Sequence, residues 1–230
     1  MELLQLREKE IFETLKKIRK FKFVVIGGYA VNAYTLPRFS VDCDIVVEDN
    51  DEANKIGKVL ERLDYNKEDA NKINILYGGK FIRYEKDIGN NLKVSVDILI
   101  KNILDRQTNA NFSAKWIFEN SEVMSLKGKT ITEELNLRII NADALIVMKS
   151  TSCRIADIRD VFMILTKAKD LEWIKKEIGK RYGIENRLNK IVKKVTSTQF
   201  KDNLQGIYGY IDENLFEKQK NYLLRFSKLD

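Results

Sequence analysis

The chain has 230 residues, of which 44% are hydrophobic, and its formal net charge is +7 at neutral pH. This length and composition are typical of a globular protein with one sizeable core or two smaller ones. Histidine is absent, which excludes Ser-His-Asp and Cys-His nucleophilic catalysis and histidine-ligated zinc. Any chemistry must therefore depend on carboxylates, lysines, arginines, hydroxyls and metal ions.

The sequence contains no signal for a membrane or a secretory route. No stretch approaches the roughly 18 to 20 continuous apolar residues that cross a bilayer, and the first twenty residues lack the apolar core of a signal peptide. Cys43 and Cys153 lie far apart and in no metal-ligand spacing, which fits buried thiols in a reducing compartment. We therefore expect a cytoplasmic protein with no membrane partner.

The first predicted elements are two helices on either side of a strand. Residues 1–20 fit an amphipathic helix, and residues 21–26 fit a strand that ends in a β-branched run. A second helix is expected from Gly28 to Leu36. Pro37 would stop it there, because the residue before a proline is pushed out of the helical region.

Gly27 and Gly28 follow the first strand directly, as expected where a buried strand turns into a helix. Glycine has no Cβ, so a polyphosphate could approach the backbone there, and the free N–H groups of the next helix favour an anion. A Gly-Gly pair taken alone is a simple turn more often than a phosphate site. Its interpretation therefore depends on the residues that follow.

The next predicted strand, residues 41–47, carries Asp42 and Asp44. Side chains two residues apart on a strand leave from the same face, so the two carboxylates project together while Cys43 and Ile45 point into apolar packing. Two adjacent like charges repel each other unless a cation lies between them. Although an Asp-x-Asp strand also occurs by chance, this arrangement is the one that a divalent metal favours.

The remaining pattern changes from mixed structure to helix. A helix is predicted over residues 49–63, and strands over 72–77, 81–84 and 92–100, with Gly78-Gly79 as a hairpin turn. Two short strands are expected at 122–126 and 130–131, a domain join near 132–141, and helices from Asn141 onward. This order predicts an α+β protein with a mixed-sheet catalytic domain over residues 1–135 and a helical domain over 136–230.

Asp97 lies in the middle of an otherwise apolar predicted strand. An uncompensated carboxylate in such a place is costly, so it needs a partner. A metal held jointly with Asp42 and Asp44 would supply one. The alternative is that Asp97 is partly exposed or pairs with a nearby lysine.

The ordered set of Gly27-Gly28, Asp42-x-Asp44 and Asp97 resembles the nucleotidyltransferase superfamily that includes DNA polymerase beta. That family has a strand ending in Gly-Gly or Gly-Ser, a spacer of this size, and an acid-x-acid strand. The resemblance covers roughly residues 20–100. It implies a mixed β-sheet with flanking helices in the first domain.

Within that superfamily the chain is similar to the AbiEii-type toxin nucleotidyltransferases, which extends the match to about residue 165. The similarity is carried by the run Gly-Gly-Tyr-Ala, by Arg38-x-Ser40 before the acids, and by a lysine helix followed by an arginine and an acid-x-x-acid helix. The last group reads Lys149, Arg154, Asp157 and Asp160. Two departures are the short gap between Lys149 and Asp157, and Ala156 where a basic residue is common.

The resemblance implies a magnesium-dependent transfer of a nucleoside monophosphate. Two Mg²⁺ ions, for which Mn²⁺ can substitute, would be held by Asp42, Asp44 and Asp97, and an acceptor hydroxyl would attack the α-phosphorus while pyrophosphate leaves. Asp97 is also a candidate for taking the acceptor proton. The resemblance implies contacts to the nucleoside triphosphate from Gly27, Gly28, Arg38, Ser40, Lys149 and Asp157. The alternatives are a plain salt bridge for Arg38 and a solvated helix face for the residues from Lys149 to Asp160.

The positive charge is concentrated in residues 172–201, which contain nine basic residues and three acids. If residues 187–195 form a helix, apolar side chains gather on one side and a cationic strip on the other. Lysine-rich helix faces are often only solvated. The functional alternative is an RNA-binding strip made of Arg187, Lys190, Lys193 and Lys194.

Three classes of function fit these observations. The first is a nucleotidyltransferase acting on RNA, such as tRNA, or on a protein, as the toxin of a toxin–antitoxin pair with a cognate antitoxin. The second is an enzyme of the same fold acting on a small molecule, such as an aminoglycoside or a sugar phosphate. The third is a nucleotide- or RNA-binding module that no longer transfers anything. Intact Asp42, Asp44 and Asp97 favour an enzyme, and the basic segment favours the first class.

Overall fold

The computed structural model describes residues 2–68, 80–89 and 92–228, which divide into two units. The first unit comprises the described residues up to Ala33 together with Pro37–Leu104 and Asn111–Ile140. The second comprises Tyr34–Leu36, Asp105–Ala110 and the chain from Asn141 onward. The two short segments that join the second unit could not be read from the sequence, which predicted a single change of domain after residue 135.

The first unit contains a mixed sheet with helices. In chain order its elements are α1 (Glu2–Ile18), β1 (Val24–Val25), α2 (Gly27–Val31), β2 (Asp42–Val47), α3 (Asn50–Arg62), β3 (Asn66–Lys67), β4 (Lys80–Asp87), β5 (Lys93–Ile100), β6 (Asn102–Leu104), β7 (Asn111–Ser113), α4 (Ala114–Glu119), β8 (Ser121–Leu126) and β9 (Leu135–Ile140). The mixed α+β class predicted from the sequence is therefore confirmed.

Seven of the described strands form one sheet in the order β3-β4-β5-β2-β1-β9-β8, and β6 and β7 form a separate hairpin. Strand β2 runs antiparallel to β1 and parallel to β5. The register between β2 and β5 pairs Asp42 with Ser95 and Asp44 with Asp97. Paired residues on neighbouring strands project from the same face, so this register brings the three predicted acids to one side of the sheet.

Two helices show how local sequence sets these elements. Helix α1 buries Ile11, Leu15 and Ile18, as its apolar spacing predicted, whereas Leu4 is exposed. Helix α3 begins after Asp49, whose side chain accepts a hydrogen bond from the backbone N–H of Glu52 at 2.8 Å. Such a cap satisfies a donor that has no partner inside the helix.

The structure corrects the prediction for residues 130–141. Residues 130 and 131 do not form a strand. The change between the units falls within the predicted range of the domain join, between Ile140 and Asn141, but that range also contains the whole of β9, which is parallel to β1. Leu135, Leu137 and Ile139 are buried and alternate with exposed polar residues, the pattern of a half-buried strand. The predicted strand at 72–77 and the Gly78-Gly79 turn lie outside the described residues.

The second unit is helical. Its elements are α5 (Ala142–Ser152), α6 (Ile155–Ile164), a 3-10 turn (Leu165–Lys167), α7 (Leu171–Gly179), α8 (Ile184–Val195), α9 (Phe200–Tyr208) and α10 (Glu213–Lys228). Phe162, Phe200 and Phe216 pack together in its core, with ring centroids 5.1 to 6.4 Å apart. Of the helices described in either unit, none is both long enough and apolar enough to span a bilayer.

Candidate nucleotide and metal site

Gly27 and Asp44 are in close contact where β1 turns into α2. Gly27 has φ +66°, a left-handed conformation that side chains rarely adopt. A Cβ added to Gly27 would lie 2.0 Å from Oδ2 of Asp44. The backbone N–H of Ile26 donates to the carbonyl oxygen of Asp44 at 3.0 Å. Only glycine therefore fits at position 27 while Asp44 keeps this place.

Gly28 provides a similar close approach for Ser40 and Arg38. A Cβ at position 28 would lie 2.3 Å from Oγ of Ser40 and 3.1 Å from Nη2 of Arg38. Asn32 holds this segment, because its side-chain amide donates to the carbonyl oxygen of Arg38 at 2.9 Å and its Oδ1 accepts from the Arg38 N–H. The structure thus brings together five of the predicted site residues, namely Gly27, Gly28, Arg38, Ser40 and Asp44.

Asp42 is held by a neighbour on β5 that the sequence analysis missed. The hydroxyl of Ser95 donates to Oδ1 of Asp42 at 2.6 Å, and Ser95 is buried. Because this bond uses one carboxylate oxygen, it fixes the orientation of Asp42. The Ser95 hydroxyl could have been suspected from its alternation with Asp97 on one face of the strand.

Asp97 forms an ion pair with Arg83. This resembles the alternative considered from the sequence, in which Asp97 pairs with a nearby lysine. Nε and Nη2 of Arg83 donate to the two carboxylate oxygens of Asp97 at 2.9 and 2.7 Å. Burial raises the pKa of Asp97 above its usual value, and the hydrogen bonds from Arg83 act in the opposite direction. Hydrogen bonds to Asp97 also raise the pKa of Arg83. Asp97 is only 4% exposed, and Arg83 supplies the compensating charge.

The residues present fit a magnesium ion only in part. Asp42 and Asp44 project from one face of β2 and are half-buried, which suits Mg²⁺ because this ion is usually held by one or two carboxylates and completed by substrate phosphates. Within the described part of the chain, no three acidic, histidine or cysteine side chains form a group that could hold a metal. The fit is therefore limited to Asp42 and Asp44, and the third ligand, Asp97, stays a prediction.

The Arg83–Asp97 pair can be tested by a double-mutant cycle. We expect Asp97→Asn to lower the free energy of unfolding by about 2 kcal/mol, because a hydrogen-bonded charge pair is lost and a partly buried guanidinium remains. In the double variant Arg83→Gln/Asp97→Asn the second change should cost much less, with a coupling of about 1 kcal/mol or more. Urea unfolding of the four proteins without added metal measures this coupling, and additive effects would contradict the pairing.

Lys149 and Asp157 lie in the second unit and contact each other. Nζ of Lys149 is 3.2 Å from Oδ1 of Asp157 and 2.7 Å from Oδ2 of Asp160. The hydroxyl of Tyr208 donates to Oδ1 of Asp160 at 2.6 Å. Lys149 and Asp160 are 7% and 1% exposed, so the alternative of a solvated helix face is wrong for them. Their role in nucleotide binding stays a prediction.

Arg154 is also paired within the second unit. Its Nη2 lies 3.1 Å from Oδ1 of Asp105, a buried carboxylate that also accepts hydrogen bonds from Ser152 and Thr108. The contacts with Ser152 and Arg154 connect the segment Asp105–Ala110 to the helices of this unit. Asp105 was not predicted as a site residue, because Ser152 and Arg154 lie far from it in the chain.

The predicted cationic strip on α8 needs one correction. Lys190 and Lys193 are exposed and Lys194 is half-buried, but Arg187 is buried on the apolar side with Leu188, Ile191 and Val195. Arg187, Ile191 and Val195 recur every four residues, so the helical spacing places them on one face. The cationic strip therefore consists of the exposed Lys190 and Lys193 and the half-buried Lys194.

Comparisons with known proteins support the fold. The chain matches no protein-family model and no curated relative. Its structure is similar to that of MenT4, a nucleotidyltransferase toxin from Mycobacterium tuberculosis H37Rv, with a TM-score of 0.54 and 13% sequence identity over 99% of this chain and 84% of that one.

Two further solved structures resemble the chain more weakly. One is an H. pylori protein assigned to the nucleotidyltransferases, with a TM-score of 0.48 and 16% identity over 99% of this chain and 94% of that one. The other is an antigenic nucleotidyltransferase-like protein from Paracoccidioides brasiliensis, with a TM-score of 0.48 and 13% identity over 94% of this chain and 97% of that one. On the strength of the similarity to MenT4, the chain has the nucleotidyltransferase fold that its Gly-Gly and Asp-x-Asp motifs predicted.

Proposed function

We propose that the protein is a nucleotidyltransferase that moves a nucleoside monophosphate from a nucleoside triphosphate to a hydroxyl acceptor and releases pyrophosphate. The observation that carries this proposal is the close assembly of Gly27 with Asp44 and of Gly28 with Ser40 and Arg38. An assembly in which two glycines are required by adjacent polar side chains differs from an ordinary turn. It occurs at the turn between β1 and α2, beside the two acids of β2.

In this proposal Asp42 and Asp44 hold magnesium. A bound Mg²⁺ would neutralise charge on the triphosphate and stabilise the oxygens that enter and leave at the α-phosphorus. Contacts within the protein position both carboxylates for a metal, because Ser95 orients Asp42 and Gly27 leaves room for Asp44. Each carboxylate is thus held in place before substrate arrives, which limits the cost of organising the site.

Arg38 and Ser40 are assigned to the phosphates. Both side chains lie against the buried Gly28, whose missing Cβ leaves the room that they occupy. A guanidinium can donate two parallel hydrogen bonds to a phosphate, and a hydroxyl can donate one more. Asn32 fixes the backbone of Arg38, so the phosphate contacts would come from a segment that is already positioned.

Two roles are considered for Asp97, and its contact with Arg83 bears on the choice between them. As a general base or third metal ligand, its carboxylate would have to share oxygens that already accept from Arg83. As a structural partner, it would hold Arg83 and β4 in register with β5. We favour the second use because both carboxylate oxygens accept hydrogen bonds from Arg83.

The acceptor is proposed to be RNA or a protein, with the protein acting as the toxin of a toxin–antitoxin pair. This follows from the fold shared with MenT4, which is described as a nucleotidyltransferase toxin, and from the exposed lysines of α8. Magnesium dependence, nucleotide choice and an antitoxin partner belong to the same proposal. The alternatives to this proposal are an enzyme that acts on a small-molecule acceptor and a binding module without transfer activity.

Transfer of label provides the direct test. The purified chain is incubated with Mg²⁺ and each nucleoside triphosphate, labelled on either the α- or the γ-phosphate, together with total RNA, a protein mixture or small hydroxyl compounds. We expect label from the α-position, and none from the γ-position, on RNA or protein, with pyrophosphate formed in equal amount.

The acceptor that becomes labelled distinguishes the classes. Label confined to small molecules would contradict the proposed acceptor but retain nucleotidyl transfer. Label transferred from the γ-position would indicate a kinase instead. Nucleotide binding without pyrophosphate release in any mixture would favour a non-catalytic module and reject the proposal.

A further inference from the structure

Arg187 is a buried cation with no acidic partner among the described residues. Arg187 is only 8% exposed. The guanidinium carbon lies 4.0 Å from the centre of the Tyr182 ring, and its charge acts on the nearby Cys153 thiol. Its Nε is fully buried and has no hydrogen-bond partner. A buried arginine with these contacts alone lacks a counterion.

The thiol of Cys153 does not supply the missing negative charge. Burial raises the pKa of Cys153 above its usual value, and the nearby charges of Lys190 and Arg187 only oppose that shift. The thiol is therefore neutral at physiological pH. Because a buried charge without a partner is costly, the site favours an anion that comes from outside the chain.

Lys190 adds a second uncompensated charge next to the first. It is one helical turn after Arg187 on α8, is exposed, and forms no ion pair within the described ranges. The nearby basic residues Lys180 and Arg181 differ in this respect, because both bind the carboxylate of Glu177. Arg187 and Lys190 are therefore not neutralised by an ion pair as Lys180 and Arg181 are.

We propose that Arg187 and Lys190, with the Tyr182 ring behind the guanidinium, form a phosphate-binding subsite in the second unit. A guanidinium binds phosphate through parallel N–H donors, and a neighbouring ammonium adds a point charge. The ring covers one face of the guanidinium and leaves its edge as the donor surface. A phosphate group matches two positive charges better than a single carboxylate does.

The phosphate could belong to a nucleotide or to a nucleic-acid backbone, and only this choice of source rests on the proposed function. Lys194 follows Lys190 by four residues on the same side of α8. Seven residues of helix from Arg187 to Lys194 rise about 10.5 Å, which allows the cations to follow a chain of phosphates. Binding of phosphate itself requires no catalytic activity.

The test measures phosphate binding with no magnesium present. Calorimetric titration of the full chain with pyrophosphate should give saturable binding, and pyrophosphate should raise its Tm. Arg187→Gln should weaken binding by about tenfold to a hundredfold, since charged hydrogen bonds are lost. Arg225→Gln is the matched control, because Arg225 is exposed on α10, and it should bind like the parent.

Arg187→Gln should keep or raise the Tm of the free protein, because it removes a buried charge that lacks a partner. Its circular dichroism and Tm show that lost binding does not reflect unfolding. Arg187→Lys should recover only part of the affinity, since lysine lacks the planar fork. Equal binding by the parent and Arg187→Gln, or no binding by the parent, would overturn the proposal.

Further arms identify the source of the phosphate. A nucleoside triphosphate and a fluorescent single-stranded RNA are each titrated into the parent and Arg187→Gln. A loss confined to the triphosphate supports a nucleotide subsite, and a loss confined to RNA supports a backbone subsite. Arg187→Gln should weaken pyrophosphate binding equally in the parent and in an Arg38→Gln background, so a failure of the transfer assay would leave this result unaffected. No weakening by Arg187→Gln in the Arg38→Gln background would contradict a separate subsite.

Discussion

Replacing Asp44 with asparagine is expected to lower nucleotidyl transfer about a thousandfold while leaving the fold intact. Metal stabilisation of transition-state charge is worth several kcal/mol, and each 1.4 kcal/mol corresponds to about a tenfold change in rate. Asparagine has almost the same shape, so it fits against Gly27 where Asp44 Oδ2 lies. Losing one of two adjacent like charges should change the free energy of unfolding by less than about 1 kcal/mol.

The assay is the rate of pyrophosphate release at saturating nucleotide, together with the Mg²⁺ concentration that gives half the maximal rate. Asp64→Asn is the matched control, because Asp64 is exposed and has φ +64°, a conformation that asparagine tolerates. It should keep the parent's rate. An Asp44→Asn protein that is folded and retains more than about a tenth of the activity would contradict the assignment of Asp44 as a metal ligand.

The residues of this site could be predicted from the sequence, but most of the side chains that contact them could not. Gly27, Gly28, Asp42 and Asp44 are close together in the chain, so the strand geometry and glycine's missing Cβ were sufficient to place them. The partners of the acids depend on register between strands. Arg83 meets Asp97, and Ser95 meets Asp42, only because β4, β5 and β2 pair as they do.

Two predictions from the sequence, those for residues 132–141 and for Arg187, differ from the structure. The alternation of Leu135, Leu137 and Ile139 was visible, but the strand that precedes the boundary between the units was not predicted within the join at 132–141. Arg187 was assigned by its charge to the exposed side of α8, although its spacing from Ile191 placed it with the apolar stripe. Its burial is tolerated beside the Tyr182 ring, a contact that hydropathy does not reveal.

Lys149→Met is expected to lower the free energy of unfolding by about 3–5 kcal/mol, the cost of breaking a buried ion pair on one side. Without the ammonium, Asp160 would remain almost fully buried and Asp157 would lose its contact at 3.2 Å. Methionine is similar in length to lysine and fills most of its space. Loss of packing therefore contributes little, and the expected effect is mainly electrostatic.

Urea unfolding of Lys149→Met is compared with Lys218→Met, which removes an exposed lysine on α10 and should change stability by less than about 0.5 kcal/mol. Adding Asp160→Asn to Lys149→Met should recover part of the lost stability, because the uncompensated carboxylate is removed while an oxygen remains to accept from Tyr208. If the folded double variant also shows a raised KM for nucleotide with an unchanged kcat, Lys149 contributes binding to the triphosphate as well as stability. Equal stability of Lys149→Met and the parent would instead mean that the two carboxylates do not depend on this lysine for their charge balance.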